Sequence, residues 1–257
     1  MRLTVVGCSG SVPGPASPAS CYLVEADDDD GRTWTVALDL GSGALGPLQT
    51  YCDPRDLDAV LLSHLHPDHC ADLAPLHVYL AHHPDGPSHV RVVGPFGTTS
   101  RVNELRGTED PSEALGVEVW LDGAAITVGP LSIRCESVTH PVPAYALRIE
   151  GPSEREARSA VVLAYSGDAD VCEGLDRAAA GADVFLCEAT FTEAEHAPRG
   201  SHLTGARAGE VAQAARVDRL LLTHVPPWSD PNTVIAEASR TFSGPLEVAQ
   251  PGRRIEL

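Results

Sequence analysis

The chain has 257 residues, 43% of them apolar, and carries 36 acidic against 18 basic residues for a net charge of −18. Every basic residue is arginine and lysine is absent. Such an acidic protein repels a long polyanion, so long nucleic acid is not an expected partner, whereas a small anionic substrate drawn in by metal charge is compatible with it. No run approaches the ~20 apolar residues that cross a bilayer, so no membrane partner is expected.

Met1–Gly7 reads as a first strand and lacks the apolar stretch of roughly 7–15 residues that marks a secretory signal. The seven cysteines are scattered, odd in number and form no C-x-x-C. That usage predicts reduced thiols and a cytoplasmic setting. No low-complexity linker interrupts the chain, so residues 1–257 are expected to form one domain.

Leu3–Val6, Cys21–Glu25 and Thr33–Leu38 read as strands separated by Gly/Pro/Ser turns, with Asp27–Asp30 as a solvated hairpin tip. Ala44–Tyr51 reads as a short helix, Leu57–Leu62 as a buried strand, Leu73–His83 as a helix, Val90–Val93 as a strand and Phe96–Arg106 as a helix. The middle is rich in strands: Val117–Leu121, Ala125–Val128, Leu131–Val138, Tyr145–Glu150 and Ala160–Tyr165. Helix Cys172–Ala180 then precedes strand Val184–Cys187, helix Thr204–Ala215 precedes strand Leu220–Thr223, and helix Asn232–Phe242 precedes Leu246–Val248. Strands first and alternation afterwards, in each half, predict two mixed sheets sandwiched between outer helices.

The segment Ser63-His64-Leu65-His66-Pro67-Asp68-His69 follows the apolar run Ala59–Leu62. On an extended backbone, residues two apart point the same way, so His64 and His66 can grip one ion. Asp68 and His69 fall where the chain turns and can face a second. Burying four such groups without partners would be costly. His140, Asp168 and His224 each follow an apolar run, where loops gather at one sheet edge. We assign His64, His66 and His140 to one metal, Asp68, His69 and His224 to another, and Asp168 as the bridge. Imidazole and carboxylate suit zinc, and two ions about 3.5–4 Å apart suit hydrolysis. The same donors accept manganese or iron. Cys70, beside the cluster, is expected to be a small buried residue. His77, His82, His83, His89 and His196 lack this context and are expected on the surface or on helix faces.

The pattern His64-x-His66-x-Asp68-His69, then His140, Asp168 and His224, resembles the metallo-β-lactamase superfamily across nearly the whole chain. That resemblance implies an α/β fold, the four-layer αββα sandwich, with a site for two divalent ions. Asp39, in Leu38-Asp39-Leu40-Gly41, is similar to the family's upstream aspartate, which braces the metal loop. His66 stands where the diiron oxidoreductase branch carries glutamate, which favours hydrolysis over redox chemistry. Gly7-Cys8-Ser9-Gly10-Ser11-Val12-Pro13, Thr139–Tyr145, Glu188-Ala189-Thr190-Phe191 and Ser201-His202-Leu203-Thr204 resemble the ribonuclease Z and phosphodiesterase branch. By that resemblance Glu188 and His202 form a proton relay, and a homodimer is implied.

Departures from ribonuclease Z are specific. Only 27 residues separate His140 from Asp168, too few for that family's protruding arm. Its lysine-bearing motif is absent, cysteine replaces histidine before Glu188, and Val225-Pro226-Pro227-Trp228 replaces its serine- and arginine-containing stretch. The expected activity is therefore hydrolysis of a small phosphodiester, and the resemblance points to a cyclic nucleotide. Asp68 would orient the attacking water and His202, set by Glu188, would protonate the leaving oxygen; alternatively, His202 merely caps the helix Thr204–Ala215. Trp228 and Tyr145 are candidate walls for a base ring. The competing readings are a tRNA 3′ endonuclease, a lactone or thioester hydrolase of the same fold, and a metal-stabilised binding protein without turnover.

Overall fold

Side-chain alternation along the strands separates the layers. In β4 (Ala59–Leu61) the side chains of Ala59 and Leu61 join one buried cluster, while Val60 and the following Leu62 join another. The computed structural model describes every residue except 111, 156–158 and 196–198, with the backbone alone at 195. His196, expected at the surface, lies outside the described residues.

The first sheet is formed by β1 (Arg2–Gly7), β2 (Cys21–Asp27), β3 (Thr33–Leu38), β4, β5 (Val90–Gly94) and β6 (Leu115–Val119), in that order, with a C-terminal strand (Arg254–Glu256) added beside β1. The second runs from β7 (Ala125–Val128) through β8 (Leu131–Ser137), β9 (Tyr145–Pro152), β10 (Ala160–Tyr165), β11 (Val184–Glu188) and β12 (Leu220–Thr223) to β13 (Leu246–Val248); the C-terminal strand is β14. Helices α1 (Leu45–Leu48), α2 (Pro67–Cys70), α3 (Leu73–His82) and α4 (Thr98–Arg106) follow strands of the first sheet, and α5 (Glu173–Ala179), α6 (Gly205–Ala215) and α7 (Pro231–Ala238) follow strands of the second.

Leu3, Tyr22, Val36 and Leu61 of the first sheet pack against Ile133, Leu147, Leu163 and Leu186 of the second. On the outer face of the first sheet, Val60, Leu62 and Val92 meet Leu48, Leu73, Leu76 and Val102. On the outer face of the second, Phe185, Cys187 and Leu222 meet Leu175, Ala208, Val211 and Val234. These three cores define the αββα layering expected from the sequence. Each fully buried Leu adds about 1.5–3 kcal/mol of apolar transfer energy.

Several boundaries differ from those expected. The strand expected at Val117–Leu121 is Leu115–Val119: β5 ends at Gly94, whose carbonyl accepts the last pairing bond from Trp120 N, and the Trp120 indole N–H donates to the carbonyl of Leu62. β14 was not anticipated; with one apolar residue, Ile255, between two charged ones it shows no pattern until β1 pairs with it. The helix expected over Ala44–Tyr51 keeps four residues, and a one-turn helix, α2, forms within the histidine segment. Asp27–Asp30 does form the β2–β3 hairpin tip, where Asp28 accepts from the backbone of Asp30 and Arg32 and from Trp34 Nε1. Among the described residues no helix is long and apolar enough to cross a membrane.

The pairings orient the sheets. β1, β3, β4, β5 and β6 run the same way in the first sheet, as do β8 and β10 to β13 in the second. Tyr145 N donates to Ser63 O across the two sheets at 2.9 Å. The carboxyl ends of these strands therefore deliver their loops to one edge, the usual place for a site in α/β sheets.

Candidate metal centre

Seven side chains converge at that edge. His64, His66, Asp68 and His69 follow β4; His140 follows β8, Asp168 follows β10 and His224 follows β12. One group places ligand atoms of His64, His66, His140 and Asp168 within 4.8 Å of one another, and a second does the same for Asp68, His69, Asp168 and His224. Asp168 belongs to both. The structure thus brings together all seven residues singled out in the sequence, in the two sets expected, and sets Glu188 and His202 beside His224. Among the other histidines, His82 and His89 are exposed and His77 and His83 half-buried, away from these groups.

The backbone is strained to make this approach. Of the four non-glycine residues with positive φ among the described residues, Ser11, Asp39 and His224 lie at the site. Such conformations persist only where surrounding contacts hold them. Two glycines allow close packing: a Cβ at Gly41 would lie 1.9 Å from the carbonyl oxygen of Asp68, and one at Gly10 2.1 Å from that of His224.

Four imidazoles have their outer nitrogen engaged by the protein. Asp39, fully buried, accepts from Ser63 N at 2.7 Å, Ser63 Oγ at 2.8 Å, Tyr165 OH at 2.6 Å and His69 Nδ1 at 2.7 Å. Ser63 Oγ, having donated to Asp39, accepts from His64 Nδ1 at 3.1 Å. His140 Nδ1 donates to the carbonyl of Ser201 at 2.8 Å. Thr190 Oγ1 donates to Glu188 at 2.7 Å and accepts from His224 Nδ1 at 2.9 Å. These partners favour a proton on the outer nitrogen, so each ring, when neutral, keeps an Nε2 lone pair directed into the site, where that of His224 also accepts from Ser11 N at 3.3 Å. The inner nitrogens crowd: His69 Nε2 is 3.2 Å from His224 Nε2, His64 Nε2 is 3.0 Å from His66 Nδ1, and His140 Nε2 is 3.2 Å from the same atom.

Lone pairs in that arrangement call for a cation among them. Asp168 Oδ1 is buried and accepts no protein hydrogen bond, although His69 Nε2 lies 3.2 Å and His224 Nε2 3.4 Å away. Burial works against charge on both aspartates, yet the surrounding imidazoles hold Asp68 and Asp168 below the usual carboxylate range. Burial pulls His69 down, but Asp168 and Asp39 push it well above the imidazole range. The pocket favours positive charge, and its donors fit a divalent metal.

Glu188 is fully buried and accepts from Ala169 N at 2.9 Å and His202 Nδ1 at 2.9 Å. Burial lowers His202, but the Glu188 charge and hydrogen bond outweigh it and raise the imidazole to about 9. The His202 ring stacks on His224 with centroids 5.6 Å apart and stands edge-on to Phe191. Trp228 is 68% exposed on the loop after His224, and the half-buried Tyr145 packs on the inter-sheet core. Cys70 is fully buried, as expected.

Sequence reasoning did not single out Ser63, Thr190, Tyr165 or the Ser201 carbonyl as supports. Ser63 and Thr190 lie within the motif segments, a usable signal; Tyr165 and a main-chain carbonyl carry none.

An αββα sandwich with clustered histidine and aspartate donors at one edge defines a class of metal-binding hydrolase folds. Residues 36–225 match the Beta-lactamase superfamily domain, and the chain belongs to that superfamily. Rv1339 of Mycobacterium tuberculosis is 44% identical over 96% of this chain and 88% of its own length. The probable metallo-hydrolase YhfI of Bacillus subtilis is 27% identical over 98% of both chains. The YhfI crystal structure superposes with a TM-score of 0.86, covering 100% of this chain and 99% of its own. Ribonuclease Z of Thermobifida fusca is 27% identical over 100% of this chain and 94% of its own length. That alignment spans 307 positions, so the ribonuclease carries segments this chain of 257 lacks. Family, fold and donor set together are those of a metallo-hydrolase.

Proposed function

We propose that the protein is a phosphodiesterase using two divalent ions, zinc foremost with manganese or iron as alternatives, on a small phosphodiester such as a cyclic nucleotide. The observation that carries this reading is the pair of donor groups sharing Asp168, with the Glu188–His202 pair alongside. Bound metal would acidify a shared water and neutralise charge on the phosphoryl oxygens. His64, His66 and His140 would hold one ion, Asp68, His69 and His224 the other, and Asp168 both.

The protein's own groups do the rest. Asp68, whose Oδ2 lies 3.1 Å from His224 Nε2, orients the attacking water. His202 carries the proton for the leaving oxygen at Nε2, because Glu188 holds Nδ1. The Glu188 carboxylate favours the protonated form of that imidazole. Small substrates are favoured by the net charge of −18, the absence of lysine and the lack of segments present in the ribonuclease Z relative. The similarity to that ribonuclease keeps tRNA 3′ processing as a second reading.

The test is metal analysis with a substrate panel. Reconstituted protein should hydrolyse bis-p-nitrophenyl phosphate and cyclic AMP, lose both activities with chelator, and leave precursor tRNA intact. His202→Ala should slow cyclic AMP hydrolysis about 10²–10⁴-fold but spare p-nitrophenyl esters, whose leaving group needs no proton. Metal-loaded protein inactive on every phosphodiester would overturn the proposal.

A further inference from the structure

Asp170 lies two residues beyond Asp168, and the sequence did not mark it out. Its backbone N–H donates to the Thr139 carbonyl at 2.9 Å, tying the Asp168 loop to the residue before His140. Its side chain is 4% exposed and accepts from Val171 N at 2.8 Å and Gly200 N at 2.7 Å. The guanidinium groups of Arg199 and Arg207 stand 3.5 and 3.7 Å from Oδ1. Gly200 directly precedes Ser201, whose carbonyl orients His140, and His202, which meets Glu188. Further on, Phe191 N donates to Leu203 O at 3.1 Å and closes the base of this segment.

Residues 199–202 thus form a return limb fixed below by Phe191–Leu203 and above by one carboxylate. The contact to Gly200 is a charge-assisted hydrogen bond to a buried acceptor, roughly twice as strong as a neutral one. The Arg199 pair adds little, with that guanidinium 69% exposed. The buried carboxylate, rather than the Arg199 pair, therefore anchors this end of the limb. A displacement of about 1 Å at a catalytic group can cost 10²-fold in rate.

We propose that Asp170 is a positioning residue: its carboxylate clasps the Gly200–His202 limb to the metal loops and sets His202 at the leaving oxygen. The inference rests on the phosphodiesterase reading for its rate effects but not for its structural ones. Both are measurable on the full-length, metal-reconstituted protein with Asp170→Ala and Asp170→Asn.

In Asp170→Ala, amide exchange of the peptide covering 199–204 should quicken at least tenfold while β10 and β12 peptides and bound metal stay unchanged. Cyclic AMP hydrolysis should fall about 10–100-fold and bis-p-nitrophenyl phosphate hydrolysis less than about threefold, the pattern of lost proton donation. Asp170→Ala with His202→Ala should be no slower on cyclic AMP than His202→Ala alone. Asp170→Asn, which keeps an acceptor oxygen, should recover part of the exchange protection. Unchanged exchange in Asp170→Ala, loss of metal, or an equal fall on both substrates would overturn the proposal. Wild type inactive on both substrates with the exchange difference intact would instead sink the phosphodiesterase reading and leave the clasp standing.

Discussion

Asp39 shows how much of a metal centre is built by a residue outside it. Four donors converge on one buried carboxylate, which fixes the His69 ring directly and the His64 ring through Ser63. Outer partners of this kind raise ligand basicity and hold the ring in register. Asp39→Ala should therefore weaken metal binding about 10–100-fold without removing a ligand, measured by chelator competition. An unchanged affinity would show that the rings are held by packing alone. Thr190 plays the corresponding part for His224 and joins it to Glu188, so the proposed metal ligand and the partner of the proposed proton carrier share one hydroxyl.

Strand ends deliver the ligands, and the element that follows each one determines how firmly it is held. α6 begins at Gly205, three residues after His202, and its N-cap Thr204 accepts from Arg207 N at 3.2 Å and donates to Glu193. The same hydroxyl thus starts the helix and holds the segment before it. Thr204→Ala should cost about 1 kcal/mol of stability, seen as a lower urea midpoint at unchanged slope. A loss confined to activity would mean the cap matters only to the His202 limb. α2 makes a contrasting case: one turn lifts Asp68 and His69 away from the extended His64–His66 stretch, and this separates the two donor groups.

Across the whole molecule the dominant fact is charge. Net −18 is spread over the chain, and Asp39, Asp68, Asp168 and Glu188 are also buried together at one edge. Cations bound there would offset that concentration, so folding and metal binding would be linked. Metal at a thousand times its Kd should stabilise by about 4 kcal/mol. At roughly 2–4 °C per kcal/mol for a chain of this size, chelation should lower Tm by roughly 10 °C and added zinc should restore it. A Tm indifferent to chelator would mean that these donors take up no ion.

Local pattern carried the strands of both inner faces, the helices α3 to α7 and the histidine segment. Alternation and periodicity register which face a residue buries, and a run of ligand types after an apolar stretch is rare enough to notice. His140, Asp168 and His224 were legible for the same reason, each standing at the end of a strand. Burial and pairing across the fold decided the rest. β14 exists because β1 offers it an edge, and β6 stops where its partner β5 ends at Gly94. The supports from Tyr165, Thr190, the Ser201 carbonyl and Asp170 join residues far apart in the chain. Residue types and spacing along one chain can name the metal donors, because donor chemistry belongs to the side chain itself. The partners that orient those donors depend on which loops the two sheets bring to a common edge, and only the tertiary structure settles that.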